Sequence, residues 1–216
     1  MDTCKAVIFD LDGVIIDSER LVIECWETVG AQKSLKDVGR TLRLCIGTTS
    51  ARTREIFSEH YSAEAYEDLM REAVAEFRRR DVPLKPGVRE LLQVLNGMGV
   101  RLAVASSTSR ERVISELEKN RLSQYFRYFV GGDMVRKGKP DPDVFLLAGE
   151  LCGVRPSETW VIEDSYNGII AAHRAGMHPL MVPDMLPPTE EMRELADAVF
   201  PDLFAVRDWL SDRMSS

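Results

Sequence analysis

Two aspartates one residue apart, Asp10 and Asp12, stand in the stretch AVIFDLDGVIIDS (residues 6–18) just where a run of four apolar residues ends. On an extended segment, residues two apart share a side, so both carboxylates face one way and Leu11 the other. Three further groups of reactive residues follow other apolar runs: Ser106, Ser107 and Thr108 after RLAVA, Lys137 and Lys139 in GGDMVRKGKPDPD, and Glu163 and Asp164 after TWVI. Taken singly, each has a plain explanation as a turn, a helix N-cap or a solvated loop. Taken together, they carry an electrostatic demand. Unit charges 4 Å apart repel by about 4 kcal/mol at an effective dielectric of 20, so gathering Asp10, Asp12, Glu163 and Asp164 calls for a cation or shared protons. Carboxylates without nearby His or Cys suit a hard divalent ion, Mg²⁺ above all. Lys139 and the serine hydroxyls then offer charge and donors to a second anion. A metal on one side, with a lysine and hydroxyls on the other, is a phosphoryl-transfer site in outline.

Such a site needs elements that bring these residues to one edge. The apolar runs Ala6–Phe9, Arg101–Ala105, Tyr128–Val130, Trp160–Ile162 and Leu180–Val182 read as buried strands. Helical patterns lie between them. PGVRELLQVLNGMG (86–99) places Pro86 near a helix start and repeats Val88, Leu91, Leu92 and Leu95 on one face. DPDVFLLAGELCG (141–153) offers Asp141 as N-cap, Pro142 as first helical residue and Gly153 as the stop. Strands alternating with helices predict an α/β fold: a Rossmann-like parallel sheet with helices on both faces. In such sheets the functional crevice lies beyond the C-terminal strand ends, which is where every group named above falls.

From Asp17 to about Arg80 the alternation stops. Val22, Cys25, Trp26 and Val29 share one helix face; Tyr66, Leu69, Met70, Ala73, Val74 and Phe77 share another. The expectation is a core of residues 1–16 and 83–216 with a small helical cap inserted at 17–82.

Composition removes other classes. The 216 residues are 44% hydrophobic and 29% charged, ordinary for a globular protein. A net charge of −7 is the wrong sign for a general nucleic-acid binder, and no apolar stretch is long enough to span a membrane. The start MDTCKAVIF lacks the pattern of a signal peptide. Cys4, Cys25, Cys45 and Cys152 are scattered, as are His60, His173 and His178, which argues against zinc and for reduced thiols in the cytoplasm. Nothing in the sequence demands more than a monomer.

The stretches VIFDLDGVIIDS, VASST, KGKPDPDVF and VIEDSYNGIIAA, in this order, resemble the motifs of the haloacid dehalogenase-like hydrolase superfamily, whose members are mostly phosphatases. The helical insert after the first motif is similar to that of members with a small helical cap, including β-phosphoglucomutase and many sugar-phosphate phosphatases. The resemblance implies Asp10 as nucleophile and Asp12 as general acid and then base. It implies Ser106, with Ser107 beside it, and Lys139 as phosphate-binding groups. Asp10, Asp12 through its carbonyl, Glu163 and Asp164 would surround Mg²⁺. Asp12 must be protonated for part of the cycle, which calls for a site shielded from water; a closing cap would supply it.

The departures narrow the reaction. A second aspartate favours phosphoryl transfer over dehalogenation. Where β-phosphoglucomutase carries a histidine five residues after the aspartate matching Asp17, this chain has Val22; where the mutase has an arginine three residues beyond a cap-loop glycine, Gly47 is followed by Thr48, Thr49 and Ser50. The expected activity is a Mg²⁺-dependent phosphatase for a small phosphorylated metabolite. A β-phosphoglucomutase-like phosphotransferase is the alternative, and a phospho-acceptor or silent phosphate-binding module the non-enzyme one. Gly47, Thr48, Arg52 and Arg54 are the candidate specificity residues, though a solvated helix face accounts for the two arginines more simply.

Overall fold

The computed structural model describes residues 4–48 and 50–214. Its strands are β1 (Ala6–Phe9), β2 (Arg101–Ala105), β3 (Tyr128–Val130), β4 (Thr159–Glu163), β5 (His178–Met181) and β6 (Ala198–Val199), joined as one sheet in the order β3-β2-β1-β4-β5-β6. Every neighbouring pair is parallel. All four residues of β1 are fully buried, as expected for a central strand covered on both sides. Ile8 lies opposite Ala103 on β2 and Val161 on β4. Five strands match the apolar runs. The short β6 was not expected.

Among the described residues, the α-helices of this unit are α5 (Val88–Gly97), α6 (Arg110–Lys119), α7 (Asp143–Cys152), α8 (Tyr166–Arg174), α9 (Glu190–Leu195) and α10 (Leu203–Met214). On one sheet face Ala6, Ile8, Ala103, Ala105 and Val161 pack with Val144, Phe145 and Ala148 of α7 and Ala171 and Ala172 of α8. The alternate residues Val7, Phe9, Leu102 and Val104 turn to the other face and are also buried. In α5 the repeat Val88, Leu91, Leu92 and Leu95 is buried as expected, and the helix starts next to Pro86, with Gly87 as its cap. Likewise Pro142 caps α7, and Asp141 sits in the preceding turn, its N–H donating to the Gly138 carbonyl. Gly153 ends α7, as expected.

Residues 17–83 form a separate compact unit, and residues 1–16 with 84–216 form the other. The smaller unit holds α1 (Ser18–Gln32), α2 (Val38–Arg43), α3 (Ser50–Ser58) and α4 (Ala63–Phe77), and no strand among its described residues. Its core gathers Trp26, Val29, Phe57, Tyr66, Leu69 and Ala73. Phe57 lies 5.1 Å from both the Trp26 and Tyr66 rings, centroid to centroid. Val74, expected on the buried face of α4, is 43% exposed. One step past Ala73 turns a side chain by about 100°, enough to carry it off the 66–69–73 stripe.

Candidate active site

The sheet delivers its chemistry by running out. Asp10 is the first residue past β1, and its N–H still donates to the Ile162 carbonyl at 3.0 Å, extending the β1–β4 ladder by one bond. Ser106 occupies the same place past β2, its N–H donating to the Val130 carbonyl at 3.0 Å. Glu163 is the last residue of β4. All three are buried. The strand ends therefore fix their backbones, and the parallel arrangement puts them on one edge.

Lys139 joins them. It comes from the loop after β3, and its ammonium donates to Asp10 Oδ1 at 2.5 Å, Glu163 Oε1 at 2.6 Å and the Ala105 carbonyl at 3.3 Å. An ammonium has three donors, so this set uses all of them, tying together the ends of β1, β4 and β2. The Phe145 ring of α7 lies 4.7 Å from Nζ and adds a cation–π contact. The Lys139 side chain is only 5% exposed.

Glu163 and Asp164 are neighbours in sequence but not in task. Glu163 Oε2 accepts from the Asp164 N–H, the Ser165 N–H and the Ser165 hydroxyl, each at 2.9 Å. With Oε1 on Lys139, both carboxylate oxygens are engaged by protein donors. A Cβ on Gly168 of α8 would stand 1.9 Å from the Glu163 Cδ, so only glycine lets the helix come this close. Asp164 turns the other way. A Cβ on Gly13, which has φ +82°, would lie 2.3 Å from Asp164 Oδ2, which brings this carboxylate up against the Asp12–Gly13 turn.

Two carboxylates share one buried ammonium. Burial, with Glu163 and Asp12 adding to it and Lys139 opposing it, leaves the Asp10 carboxyl raised to about 8. Burial opposes the charge on Lys139, but Asp10 and Glu163 together hold it firmly protonated. Asp10 would stay ionised at neutral pH with further positive charge beside it.

Asp12 sits nearer the surface. Its side chain is 32% exposed, against 9% for Asp10, so the shielding expected for it is incomplete in the core unit. Its Oδ1 accepts from Arg112 Nη2 of α6 at 2.9 Å. Sequence reasoning passed over Arg112, which reads as one more charge on a polar helix face. Ser106 Oγ accepts from the Thr108 N–H at 3.2 Å, while Ser107 is exposed. The candidate specificity residues belong to the smaller unit. Thr48 donates its hydroxyl to the Cys45 carbonyl at 2.7 Å. Arg52 pairs with Glu55 and Arg54 with Glu67, each at 2.9 Å. Thr49 lies outside the described residues.

The model of the haloacid dehalogenase-like hydrolases matches residues 7–182. This chain belongs to that family. The hydrolase is 33% identical over 177 residues to a phosphorylated carbohydrates phosphatase of Thermotoga maritima, spanning 80% of this chain and 82% of that one. It is 30% identical over 215 residues to a phosphoglycolate phosphatase of Nitrosospira multiformis, spanning 93% and 92%. Among solved structures, a provisionally named beta-phosphoglucomutase of Thermotoga maritima superposes with a TM-score of 0.81 at 29% identity, covering 96% of this chain and 99% of that one.

Among the hydrolase's described residues, no three His, Cys, Asp or Glu side chains stand together as a metal cage. Mg²⁺ does not need one. It keeps several waters and is commonly held by one or two carboxylates plus substrate phosphate oxygens. Asp10, Asp164 and the Asp12 carbonyl offer hard oxygens of the kind Mg²⁺ takes, and a Cβ on Gly13 would collide with the Asp164 carboxylate, which sets Asp164 beside the Asp12–Gly13 peptide. The residues fit the ion, with Glu163 behind them rather than among them.

Proposed function

We propose that this phosphatase of small phosphorylated metabolites works through an aspartyl-phosphate formed on Asp10. The observation that carries the reading is the buried Asp10–Lys139–Glu163 cluster at the sheet edge, with Asp12 two residues from the nucleophile. Asp10 attacks phosphorus while Lys139 holds its carboxylate in place and meets the charge of the phosphoryl oxygens. The Ser106 hydroxyl donates to one of those oxygens. Asp12 gives a proton to the departing oxygen, then takes one from the water that attacks the aspartyl-phosphate and frees Asp10. Asp10, Asp164 and the Asp12 carbonyl would hold Mg²⁺, which when bound supplies positive charge that keeps Asp10 ionised and balances the phosphoryl group. Glu163 keeps Lys139 in place.

The relatives act, by name, on phosphorylated carbohydrates and phosphoglycolate, and a small phosphomonoester is the substrate class we assign here. The test is Mg²⁺-dependent phosphate release from p-nitrophenyl phosphate and a panel of metabolite phosphates. The wild type should turn over and Asp10→Asn should not. Equal activity in Asp10→Asn would overturn the mechanism. The likeness to a beta-phosphoglucomutase keeps a second reading in view. Incubation with β-glucose 1-phosphate and a trace of bisphosphate separates the two, since a mutase gives glucose 6-phosphate with little free phosphate.

A further inference from the structure

The edge of the sheet carries a second cation that the mechanism above does not use. Lys139 pairs with Asp10 and Glu163, Arg112 pairs with Asp12, and the two cations differ in kind. Lys139 is sealed among three acceptors at the bottom of the site. Arg112 sits near the surface, where the Arg112–Asp12 pair is exposed by 37% and 32% on its two sides. Exposed ion pairs contribute only about 0–1 kcal/mol, so the contact with Asp12 does not by itself keep an anion from engaging Arg112. The guanidinium is suited to that exchange, because its planar fork binds carboxylates and phosphates in two-pronged fashion.

Its place in the chain is fixed. Arg112 lies in the first turn of α6, where the Ser109 hydroxyl accepts the Arg112 N–H at 3.4 Å and caps the helix. Ser106, six residues earlier, is the phosphate-binding hydroxyl, so the loop that holds the transferring phosphate leads directly into the turn that carries Arg112.

We propose that Arg112 is a specificity-determining residue that receives a second anionic group, a carboxylate or a phosphate, on the leaving portion of the substrate. The inference rests on the reading of Asp12 as the acid beside the leaving oxygen. A guanidinium one hydrogen bond from Asp12 is within reach of whatever that oxygen is attached to. A substrate with a second anion would engage Arg112 and release Asp12 toward the leaving oxygen; one without it leaves Arg112 on Asp12. The favoured substrates are therefore phosphorylated hydroxy acids or bisphosphates rather than neutral alcohol phosphates.

Two matched pairs of probes test this. 3-Phosphoglycerate and glycerol 3-phosphate differ in a carboxylate against a hydroxymethyl group, and glucose 1,6-bisphosphate and glucose 1-phosphate differ in a second phosphate. The wild type should favour the doubly anionic member of at least one pair in kcat/KM, and which pair responds tells carboxylate from phosphate. Arg112→Ala should lower that preference about tenfold or more, the scale of one lost hydrogen bond to a charged group, mainly through KM. Arg112→Lys should recover part of it. A wild type that hydrolyses p-nitrophenyl phosphate but favours neither doubly anionic member overturns this inference and leaves the phosphatase reading intact. So does an Arg112→Ala variant whose preference stays within twofold, or one that loses both members of a pair equally. A wild type inactive on every phosphomonoester overturns both readings.

Discussion

Replacing Glu163 with glutamine separates an anchor from a metal ligand. The wild-type carboxylate accepts four hydrogen bonds, one from Lys139 at Oε1 and three from Asp164 and Ser165 at Oε2. A glutamine of the same shape can keep its oxygen toward only one side. Keeping the three donors is the lesser loss, and it turns the amide NH₂ toward the Lys139 ammonium, donor against donor. The variant then gives up one bond between charged groups, about 1.5–3 kcal/mol, and adds the opposition of two buried donors. Lys139 retains Asp10 and the Ala105 carbonyl. A net loss of about 3 kcal/mol follows, at the low end of what removing a partner from a buried pair costs. At about 2–4 °C per kcal/mol for a protein of this size, the melting temperature should fall by about 6–12 °C. The assay is thermal unfolding of the protein freed of Mg²⁺, paired with the Mg²⁺ dependence of phosphate release. A carboxylate kept only to bind metal predicts the reverse, because without the ion its charge repels Asp10 and its loss relieves strain. A metal-free stability within about 0.5 kcal/mol of wild type, alongside at least tenfold weaker Mg²⁺ dependence, would refute the anchor role.

Other consequences can be checked by the same means. Gly168→Ala places a methyl group 1.9 Å from the Glu163 Cδ, so α8 or Glu163 must move; activity should fall at least tenfold, and retention of full kcat/KM would count against the tight seat described here. Phe57→Ala removes the centre of the aromatic cluster in the 17–83 unit and should cost about 3–5 kcal/mol. Hydrogen exchange should rise across α1, α3 and α4 while β1 and β4 keep their protection, and uniform protection would contradict the division into two units. Glu158, held by Arg155 and Lys5, has its carboxyl drawn down from the ordinary 4.5 to about 2, with the Arg155 hydrogen bonds foremost. A depressed carboxyl stabilises the fold above the unfolded value and loses that contribution as pH falls from about 4.5 toward 2. The stability gap between wild type and Glu158→Gln should therefore shrink over that range, and a gap unchanged from pH 5 to pH 2.5 would show that the ionised form is not what these contacts favour.

Much of the fold was legible because a buried parallel strand leaves a run of apolar residues with no alternation. Ala6–Phe9 and Arg101–Ala105 read as strands on that ground and are strands at the same bounds. Ala198–Val199 leaves no such run: two residues cannot establish a pattern, and they join the sheet only because β5 offers them an edge. Helix faces were readable to within a residue. Val74 shows the limit, since a stripe of periodic positions does not say which of its margins meets solvent. The start of α7 was displaced by one residue, as Pro142 takes the cap position that the pattern gave to Asp141.

At the site, position along the sheet was readable and partnership was not. Strand ends in a parallel sheet share an edge, so the convergence of Asp10, Ser106 and Glu163 followed from their places after apolar runs. Which side chain holds which depends on chain segments far apart: Lys139 meets Asp10 across 129 residues, and Arg112 meets Asp12 across 100. Two adjacent carboxylates at 163 and 164 look equivalent in a sequence. In the fold, the alternation of an extended segment sends them to opposite sides, and two glycines decide what each one finds. Gly168 lets α8 close over Glu163, where backbone N–H groups and Lys139 take every oxygen. Gly13 lets the Asp12 turn come up to the Asp164 carboxylate, where any side chain at position 13 would collide with it. The same pair of charges thus divides into one tied into the sheet edge and one set against the Asp12–Gly13 turn, and the division is made by what surrounds the two residues rather than by the residues themselves.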